Sequence, residues 1–464
     1  MSRERIRFAL LLSAGMSYAL SQTLIIPALP KLADDAGASP AAASWLMTGY
    51  LLSASVATPL VGKLGDLHGR GRVLSWVMAI FVSGSALCAV THALPLLICG
   101  RVMQGISGAV FPLAYGVIRD TFPADRRMAA VGTLSISLGA GSALGPPLSG
   151  VAVEHLGVHS IFWIALAGAA PGVLGAKLIP ERPDGAPRRL DLPGAAILAG
   201  LLMCLLLALT QGNQWGWDSP GIVALFAGFA GLLWLWVRVE RDSREPLIAV
   251  SLLRTRSMAL VNIAAIGSGL GIFTSFIPLA AFIQAPESTG YGFALSSSEA
   301  GLLLMPHGLA IVLFARPTGA LCRQIGPRAA IIGGAVVNTI ASLQLVFAHQ
   351  TAFLLGLGST VLGVGQALLL AGLANLVVAE VPQSVVGIAT GLNTIMRTIG
   401  QAVGSALGGA VLAASVVGGT HLAGESGYVA AFAISAGAWI VSLLAAAAMP
   451  RPRRGAPALA PAAP

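Results

Sequence analysis

The sequence predicts an all-α integral membrane protein built from two six-helix halves, with two further transmembrane helices between them. Three observations lead to this prediction. The chain is 56% hydrophobic and 10% charged, whereas soluble domains carry roughly 25% charged residues. Fourteen apolar runs are long enough to cross a bilayer, and one short motif occurs once in each half. Lipid is therefore the expected solvent for most of the protein surface.

The apolar runs define the predicted spans in order along the chain. A transmembrane helix needs about 20 mostly apolar residues, and breaks that are charged or rich in Pro and Gly separate such runs. The spans are predicted at residues 8–30, 41–62, 73–92, 96–118, 128–153, 158–179, 191–211, 219–238, 257–283, 300–322, 328–348, 352–378, 385–416 and 428–449.

These spans divide the chain into four parts. We predict an N-terminal six-helix half over residues 1–182 and a C-terminal half over residues 257–450. Residues 183–256 hold the two inserted helices with their flanking loops, and no motif there indicates a role. Residues 451–464 are rich in Pro and Ala with a basic start, and are predicted to form a disordered cytoplasmic tail.

The basic residues predict the orientation. With the N-terminus in the cytoplasm, 24 of the 27 Lys and Arg residues lie in or next to cytoplasmic segments, as the positive-inside rule requires. The exceptions are Lys31 outside, and Arg101 and Arg397 within the membrane. An even number of spans then places both termini in the cytoplasm. The excess of Arg over Lys favours a bacterial source, so the predicted location is the bacterial inner membrane.

Composition and motifs also exclude several function classes. The net charge of +9 does not indicate nucleic acid binding, because the basic residues lie in short clusters between apolar runs. The sequence contains no P-loop and no nucleophile elbow, so we do not expect an enzyme. His155 and His159 lack a third ligand, so no metal site is predicted, and no cofactor is expected.

An internal repeat supports the division into halves. The stretch GKLGDLHGRGR follows the second span, and GALCRQIGPRA follows the tenth. Gly62 and Gly69 of the first copy match Gly319 and Gly326 of the second, each 257 residues later. Parallel repeats of this kind place a substrate site between the halves, near the middle of the membrane.

Four stretches carry a family resemblance. The loop motif has Gly62, Asp66, Gly69, Arg70 and Arg72 in place; RVMQGISGAVFP supplies Arg101, Gln104 and Gly105; GAGSALGPPLSG supplies Gly141, Gly145, Pro146 and Gly150; NTIMRTIGQAVG lies in the thirteenth span. Together they resemble the major facilitator superfamily, and specifically its fourteen-helix drug:proton antiporter branch, over nearly the whole chain. The resemblance implies the major-facilitator-type fold. The motif of the fifth span is associated with antiporters and implies export.

The loop motif predicts a conformational latch. Asp66 can accept backbone N–H groups at a helix N-terminus or pair with an arginine such as Arg119. Such a latch would hold the two halves together on the cytoplasmic side in one state and release them in another. The alternative is a solvated loop whose charges only set the topology.

Arg101 is the most unusual residue of the fourth span. An arginine at the centre of a membrane helix costs about 2.5–3.5 kcal/mol on insertion scales. With Gln104, Phe111 and Tyr115 it forms one face of the helix, so we expect it to face a wet cavity between the halves. The resemblance implies a role in proton coupling. The alternative is an arginine that snorkels to the outer surface.

The residue that carries the proton is not evident. None of the eighteen acidic residues lies at mid-membrane, and Ser21 stands where the antiporter branch often has a carboxylate. His307 is one candidate, because the pKa of histidine lies near neutrality; a hydrogen bond to a carbonyl of the preceding turn is its alternative role. Glu154 is another candidate, and a solvated helix end is the alternative for it.

Polar groups inside membrane helices face the bundle interior or a cavity. Asn393, Arg397 and Gln401 form one polar stripe on the thirteenth span. The predicted lining of the substrate cavity comprises Tyr18, Ser21, Gln22, Gln104, Phe111, Tyr115, Asn375, Asn393, Arg397 and Gln401. Because this lining has two arginines and no carboxylate, it is expected to suit neutral, zwitterionic or anionic amphiphiles.

The predicted function is proton-coupled efflux of small amphiphilic compounds, of the drug or antibiotic type, by alternating access. Its expected partners are the substrate, protons and the lipid bilayer, and we expect the chain to act as a monomer. The alternative is proton-coupled or facilitated uptake of a small metabolite. The direction of solute movement separates the two.

Overall fold

The computed structural model describes residues 3–175, 191–243, 255–381, 386–416 and 422–450. In these residues it contains α1 (Arg3–Asp35), α2 (Pro40–His68), α3 (Arg70–Val90), α4 (Leu94–Gly105), α5 (Val110–Thr121), α6 (Ala124–Leu156), α7 (Ser160–Gly175), α8 (Leu192–Trp215), α9 (Pro220–Asp242), α10 (Arg256–Gln284), α11 (Ser297–Ile325), α12 (Pro327–Phe347), α13 (Ala352–Glu380), α14 (Val386–Ala414) and α15 (Glu425–Ala448). A 3₁₀ turn, Ile106–Ala109, joins α4 to α5, so these two helices form one interrupted span.

Each predicted apolar run overlaps a helix of this set. In the described residues, ten helical segments are long and apolar enough to cross a bilayer, and α4 with α5 counts as one of them. The molecule is therefore an all-helical, multi-pass membrane protein. The figure of fourteen spans stays a prediction.

Short links and caps set the helix boundaries. Gly69 joins α2 to α3 at φ 91°, and Gly326 joins α11 to α12 at φ 88°. Residues with a Cβ rarely adopt positive φ, so glycine is required at both links. Both copies of the repeated motif therefore have the same backbone conformation. Ser296 begins α11 with a capping box, in which Glu299 binds the Ser296 amide.

The two halves pack alike. In the N-terminal half α1 contacts α6 and α7, and in the C-terminal half α10 contacts α14 and α15. The Thr23 hydroxyl of α1 donates to the Gly141 carbonyl of α6 at 3.2 Å. The Thr274 hydroxyl of α10 donates to the Gly404 carbonyl of α14, also at 3.2 Å. One hydrogen bond thus recurs at the equivalent helix pair of each half.

The inserted helices lie against one junction of the halves. α8 contacts α2 of the N-terminal half and α14 of the C-terminal half, and Asn213 of α8 donates to the Ala410 carbonyl of α14 at 2.6 Å. α9 packs chiefly on α8 and buries little of its own surface. The pair therefore covers the α2–α14 junction and presents α9 to lipid.

We call the end that carries loop 36–39 the outer end, because the predicted orientation places it outside the cytoplasm; the other is the inner end. At the outer end the halves touch: Gly150 of α6 lies against Ser297 of α11, with no room for a side chain. Further along α11, all five residues 313–317 are exposed. Five residues cover more than one helical turn, so α11 is free on every side there. The contact of α11 with α6 therefore lies outside this stretch, nearer the outer end.

Candidate functional site

Arg101 lies in the interior of the N-terminal half, where only 1% of its surface is exposed. Its Nε donates to the Leu46 carbonyl of α2 at 2.9 Å. Its Nη1 donates to Ser21 Oγ of α1 at 3.1 Å and to Gln104 Oε1 at 2.6 Å. The guanidinium therefore joins three helices of one half. The sequence had led us to expect that Arg101 faces a wet cavity between the halves, with snorkelling to the surface as the alternative. The structure shows neither arrangement.

The ring of Tyr50 completes this site. The Arg101 Cζ atom lies 4.3 Å from the centroid of the Tyr50 ring, within range of a cation–π interaction. Tyr50 also donates through its hydroxyl to the Tyr18 carbonyl at 3.4 Å. Gln104, which accepts from Arg101, donates in turn to Ser85 at 2.7 Å. A charged donor is thus held by neutral acceptors and one aromatic face.

The charge of Arg101 is incompletely satisfied. In the part of the chain that the structure describes, no carboxylate contacts the guanidinium, and its Nη2 atom has no hydrogen-bond partner. The cleft beside it, lined by Ser21, Ile25 and Phe162, has no room for a water molecule. A buried donor without an acceptor costs about 1–3 kcal/mol. The Nη2 atom of Arg101 can therefore donate to one further acceptor.

Aromatic residues extend the site towards the inner end. The Tyr18 and Phe111 ring centroids lie 5.9 Å apart, and those of Phe111 and Tyr115 lie 6.0 Å apart. Tyr18 and Tyr115 are half-buried, whereas the neighbouring Gln22 is buried. The fourth span and the first therefore meet through Arg101 and Ser21, and again through Phe111 and Tyr18.

The three residues of the polar stripe predicted on the thirteenth span lie in different environments in the structure. Asn393 of α14 is buried and donates to Asn262 of α10 at 3.3 Å, so it joins two helices of the C-terminal half. Gln401 is also buried. Arg397 is half-buried. Of the stripe, Arg397 is the member that keeps the most exposed surface.

Asn375, predicted on the twelfth span, lies on α13. It is exposed, and its side chain donates to the Ala371 carbonyl of the same helix at 2.8 Å. Its contacts therefore neither place it in a substrate site nor exclude it from one.

His307 is buried in the C-terminal half. Its Nδ1 lies 3.1 Å from the Ser359 carbonyl of α13, and its ring packs on Phe276 of α10 at 4.6 Å between centroids. The hydrogen-bond partner comes from a neighbouring helix, whereas the sequence had suggested the preceding turn of its own helix. His307 of α11 therefore contacts both α13 and α10.

Glu154 lies at the outer end of α6, beyond the last residue of the fifth predicted span, and is exposed. Ser298, with a smaller contribution from Ser296, lies close enough to its carboxylate to lower the pKa of Glu154, although the Ser298 hydroxyl makes no hydrogen bond. Both serines belong to the start of α11. The carboxylate therefore interacts across the contact between the two halves.

The loop motif packs within the N-terminal half. The side chain of Arg70 fills the space beside Gly116 of α5, and Arg72 is exposed. Gly62 has open space around it. The side chains of Asp66 and Arg119 lie outside the described residues, so the latch between the halves stays a prediction. The observed contact of Arg70 joins the start of α3 to α5.

The motif of the fifth predicted span places α6 between two neighbours. Gly141 and Gly145 lie against Ala19 and Thr23 of α1, without room for a Cβ. On the other side Gly150 meets α11, and the Pro146 carbonyl lies against Gly301 of α11. Small residues allow helices in membranes to approach this closely. The motif therefore serves close packing of α6 on both halves.

Sequence reasoning missed Tyr50 and Ser85. Tyr50 stands 257 residues before His307, so the repeat offset would have paired these two buried polar rings. Ser85 carries no comparable signal, because hydroxyl residues are common in apolar helices. Its role follows only from the contact with Gln104.

Comparison with known proteins places the chain among transporters. The family model described as Major Facilitator Superfamily matches residues 11–198, 192–405 and 281–464. The Tetracenomycin C resistance and export protein of Streptomyces glaucescens is 30% identical over 392 residues, which cover 81% of this chain and 70% of that protein. The probable actinorhodin transporter of Streptomyces coelicolor is 29% identical over 406 residues, covering 84% and 69%.

The multidrug transporter protein MdtP of Bacillus subtilis is 31% identical over 325 residues, covering 69% of this chain and 58% of that protein. Among solved structures, the human organic anion transporter MFSD10 superposes with a TM-score of 0.62 at 20% identity, covering 96% of this chain and 100% of that one. The xylose transporter XylE from E. coli gives 0.61 at 12% identity, covering 96% and 97%. At these identities the structural matches establish the fold.

Proposed function

Because this chain belongs to the Major Facilitator Superfamily, we propose that it is a proton-coupled exporter of small amphiphilic compounds, of the drug or antibiotic type. Relatives that are named for antibiotic export and multidrug transport support the direction and the substrate class. The proposal includes fourteen spans, both termini in the cytoplasm and a monomeric transporter. It extends to alternating access, in which the two halves open the pathway first to one end and then to the other.

The observation that carries the coupling proposal is the buried guanidinium of Arg101. It is held by Ser21, Leu46 and Gln104 without a carboxylate, and one of its donors has no acceptor. A charge held in this way responds strongly to small changes nearby, because the interior screens it weakly. α1 supplies Ser21 and also contacts α10 of the other half. Movement of the halves thus changes the surroundings of Arg101.

Glu154 provides the proton linkage at the outer end. Contact with Ser298 and Ser296 lowers the pKa of Glu154, so separation of α6 from α11 returns that pKa towards its ordinary value. By linkage, protonation then favours the separated state. Protons from outside would therefore favour opening of the outer end and release of substrate. His307 is assigned a structural role, because its contacts lie within one half.

The test is accumulation of a chemically varied compound panel in an efflux-deficient bacterial host. Wild type is compared with Arg101→Ala at matched membrane expression, with and without a protonophore. Arg238→Ala is the matched control, since Arg238 is an exposed arginine on α9. We expect wild type and the control to lower accumulation and the protonophore to abolish the effect. Export that Arg101→Ala leaves unchanged would refute the coupling role, and accumulation raised by wild type would refute export.

A further inference from the structure

We propose that Asp35, His92 and His159 form a binding site for a divalent transition-metal cation of the zinc class at the outer end of the N-terminal half. Sequence reasoning predicted no metal site, because His155 and His159 lacked a third ligand. The structure brings His92 and Asp35 to His159 from distant parts of the chain. This site lies outside the Arg101 network and does not depend on the proposed transport function.

The three ligating atoms lie within 4.8 Å of one another. Asp35 Oδ2 is 2.7 Å from His92 Nδ1 and 3.1 Å from His159 Nε2. Zinc binds imidazole nitrogen and carboxylate oxygen at about 2.0–2.2 Å, so tetrahedral ligands lie roughly 3.3–3.6 Å from one another. The separations of Asp35 Oδ2 from the two histidine nitrogens need to widen by roughly 0.2–0.9 Å. The two nitrogens, at most 4.8 Å apart, need to take the same spacing, and two exposed side chains allow these shifts.

The hydrogen bonding of His159 indicates what occupies the site. Its Nδ1 lies 2.8 Å from the Cys88 carbonyl oxygen, and a carbonyl only accepts, so Nδ1 carries a proton. In the neutral ring Nε2 is then an acceptor, yet it faces Asp35 Oδ2, another acceptor. Two facing acceptors require a cation between them, either a proton on Nε2 or a metal ion.

The surroundings favour a metal ion. A ligating histidine typically donates its other N–H to a backbone carbonyl or a carboxylate, and His159 donates to Cys88 in this way. The rings of His92 and His159 meet edge to face at 4.5 Å between centroids. The His92 side chain is 69% exposed, which leaves an entry path and space for water as a fourth ligand. Two imidazoles with one carboxylate suit zinc rather than magnesium or calcium.

The C-terminal half supplies an internal control. His349 stands 257 residues after His92, and its Nε2 lies 2.8 Å from Glu425 Oε1. In the described residues, a group of three potential ligands is found at Asp35, His92 and His159 alone. The two halves therefore share an outer histidine beside a carboxylate, and the N-terminal half adds a second histidine. A metal there would fix the end of α1 to loops 91–93 and 157–159.

The experiment measures zinc binding to the purified full-length protein after chelation. A chromogenic chelator competes for Zn²⁺, and Co²⁺ absorption reports the ligand geometry. We expect one equivalent of Zn²⁺ per chain, a tetrahedral Co²⁺ spectrum and a raised unfolding temperature. His159→Ala is expected to weaken binding at least about tenfold, since each lost ligand removes a coordinate bond.

Two controls and a second variant complete the design. His349→Ala and His155→Ala are expected to bind Zn²⁺ as wild type does, because neither residue belongs to the cluster. His92→Gln removes an exposed ligand, so it tests the proposal even if His159→Ala fails to fold. Absence of zinc binding by wild type, or equal binding by wild type and His92→Gln, would overturn the proposal and leave a protonated His159 paired with Asp35.

Discussion

Tyr50 of α2 and His307 of α11 occupy the same position in the two halves, 257 residues apart. In the N-terminal half Tyr50 faces the Arg101 guanidinium. In the C-terminal half His307 lies beside the Ser359 carbonyl. The loop before α13 is one residue longer than the loop before α4, so Ser359 stands at the position that corresponds to Arg101. One half thus has a buried charge where the other has a serine.

The helix packing around these two positions is nevertheless the same in both halves. Thr23 bonds Gly141 in one half as Thr274 bonds Gly404 in the other, and the links at positions 69 and 326 have the same conformation. The C-terminal half therefore achieves this packing without a charge at the equivalent site. The comparison teaches that this helix packing is possible without a buried charge, which supports the proposed functional role of Arg101.

The strongest test of this comparison is Arg101→Met. We expect proton-driven transport by reconstituted protein to fall at least about 30-fold, since interactions of a buried, hydrogen-bonded charge are worth about 2–5 kcal/mol. The unfolding temperature should fall, because Ser21, Leu46 and Gln104 lose their donor, so transport is measured well below the unfolding temperature of the variant. His307→Gln is the matched change in the other half, and its transport should stay within about twofold. Equal losses in both variants would contradict the comparison.

The second test concerns Tyr50. Tyr50→Leu removes the aromatic face beside Arg101, and a desolvated cation–π contact is worth about 2 kcal/mol. We expect a loss of transport of at most about 30-fold. Tyr50→Phe keeps the ring and gives up the 3.4 Å bond to Tyr18, so its transport should stay close to wild type. If the Phe variant fails as badly as Leu, the hydroxyl matters and the ring does not.

The third test sharpens the electrostatic contrast. Ser21→Asp places a carboxylate beside Arg101 Nη1, which lies 3.1 Å from Ser21 Oγ. We expect an ion pair, and therefore a gain of at most about threefold in binding of a quaternary ammonium dye to purified protein. Ser21→Asp combined with Arg101→Ala leaves the carboxylate free, and the gain should be larger. Strong dye binding by wild type would refute a cavity that is neutral to positive.

The smallest effect is expected at Glu154, where the halves meet. The lowered pKa of Glu154 means that its stabilisation of the closed outer end is present above the ordinary pKa. This stabilisation is lost as the pH falls through the lowered value. The readout is the rate at which Ser297→Cys reacts with an impermeant maleimide. Because maleimide reacts with the thiolate, the labelling rate is divided by that of the denatured protein at the same pH. In a variant without native cysteines, this ratio for Ser297→Cys should rise at acidic external pH.

Glu154→Gln is the control for that measurement. The amide cannot titrate, so the labelling ratio of Ser297→Cys should depend less on pH in this background. A labelling ratio that is independent of pH in the wild-type background would remove Glu154 from the coupling scheme.

Much of the fold follows from the sequence, because apolar runs and helix caps are local signals. The start of α11 coincides with the capping box of Ser296 and Glu299, and Gly69 marks the end of α2. Arg101 also stands out from sequence alone, because its cost in an apolar helix is large.

The direction of Arg101 could not be predicted. Helical periodicity identifies a face but not the neighbour that covers it, and the turn at 106–109 interrupts that face. Asn393 illustrates the same limit, since its partner Asn262 lies on a helix far away in the sequence. The cluster of Asp35, His92 and His159 needs the end of α1 and two loops to meet, and no local pattern records that meeting.

The position of α8 across the junction of the two halves has a consequence for their relative movement. It touches α2 of one half and α14 of the other, and the Asn213 bond ties it to Ala410. If the halves rock as proposed, α8 cannot keep both sets of contacts, so it would travel with one half and slide over the other. The inserted pair would then set how far the α2–α14 side swings, whereas no described helix spans the α6–α11 side in this way.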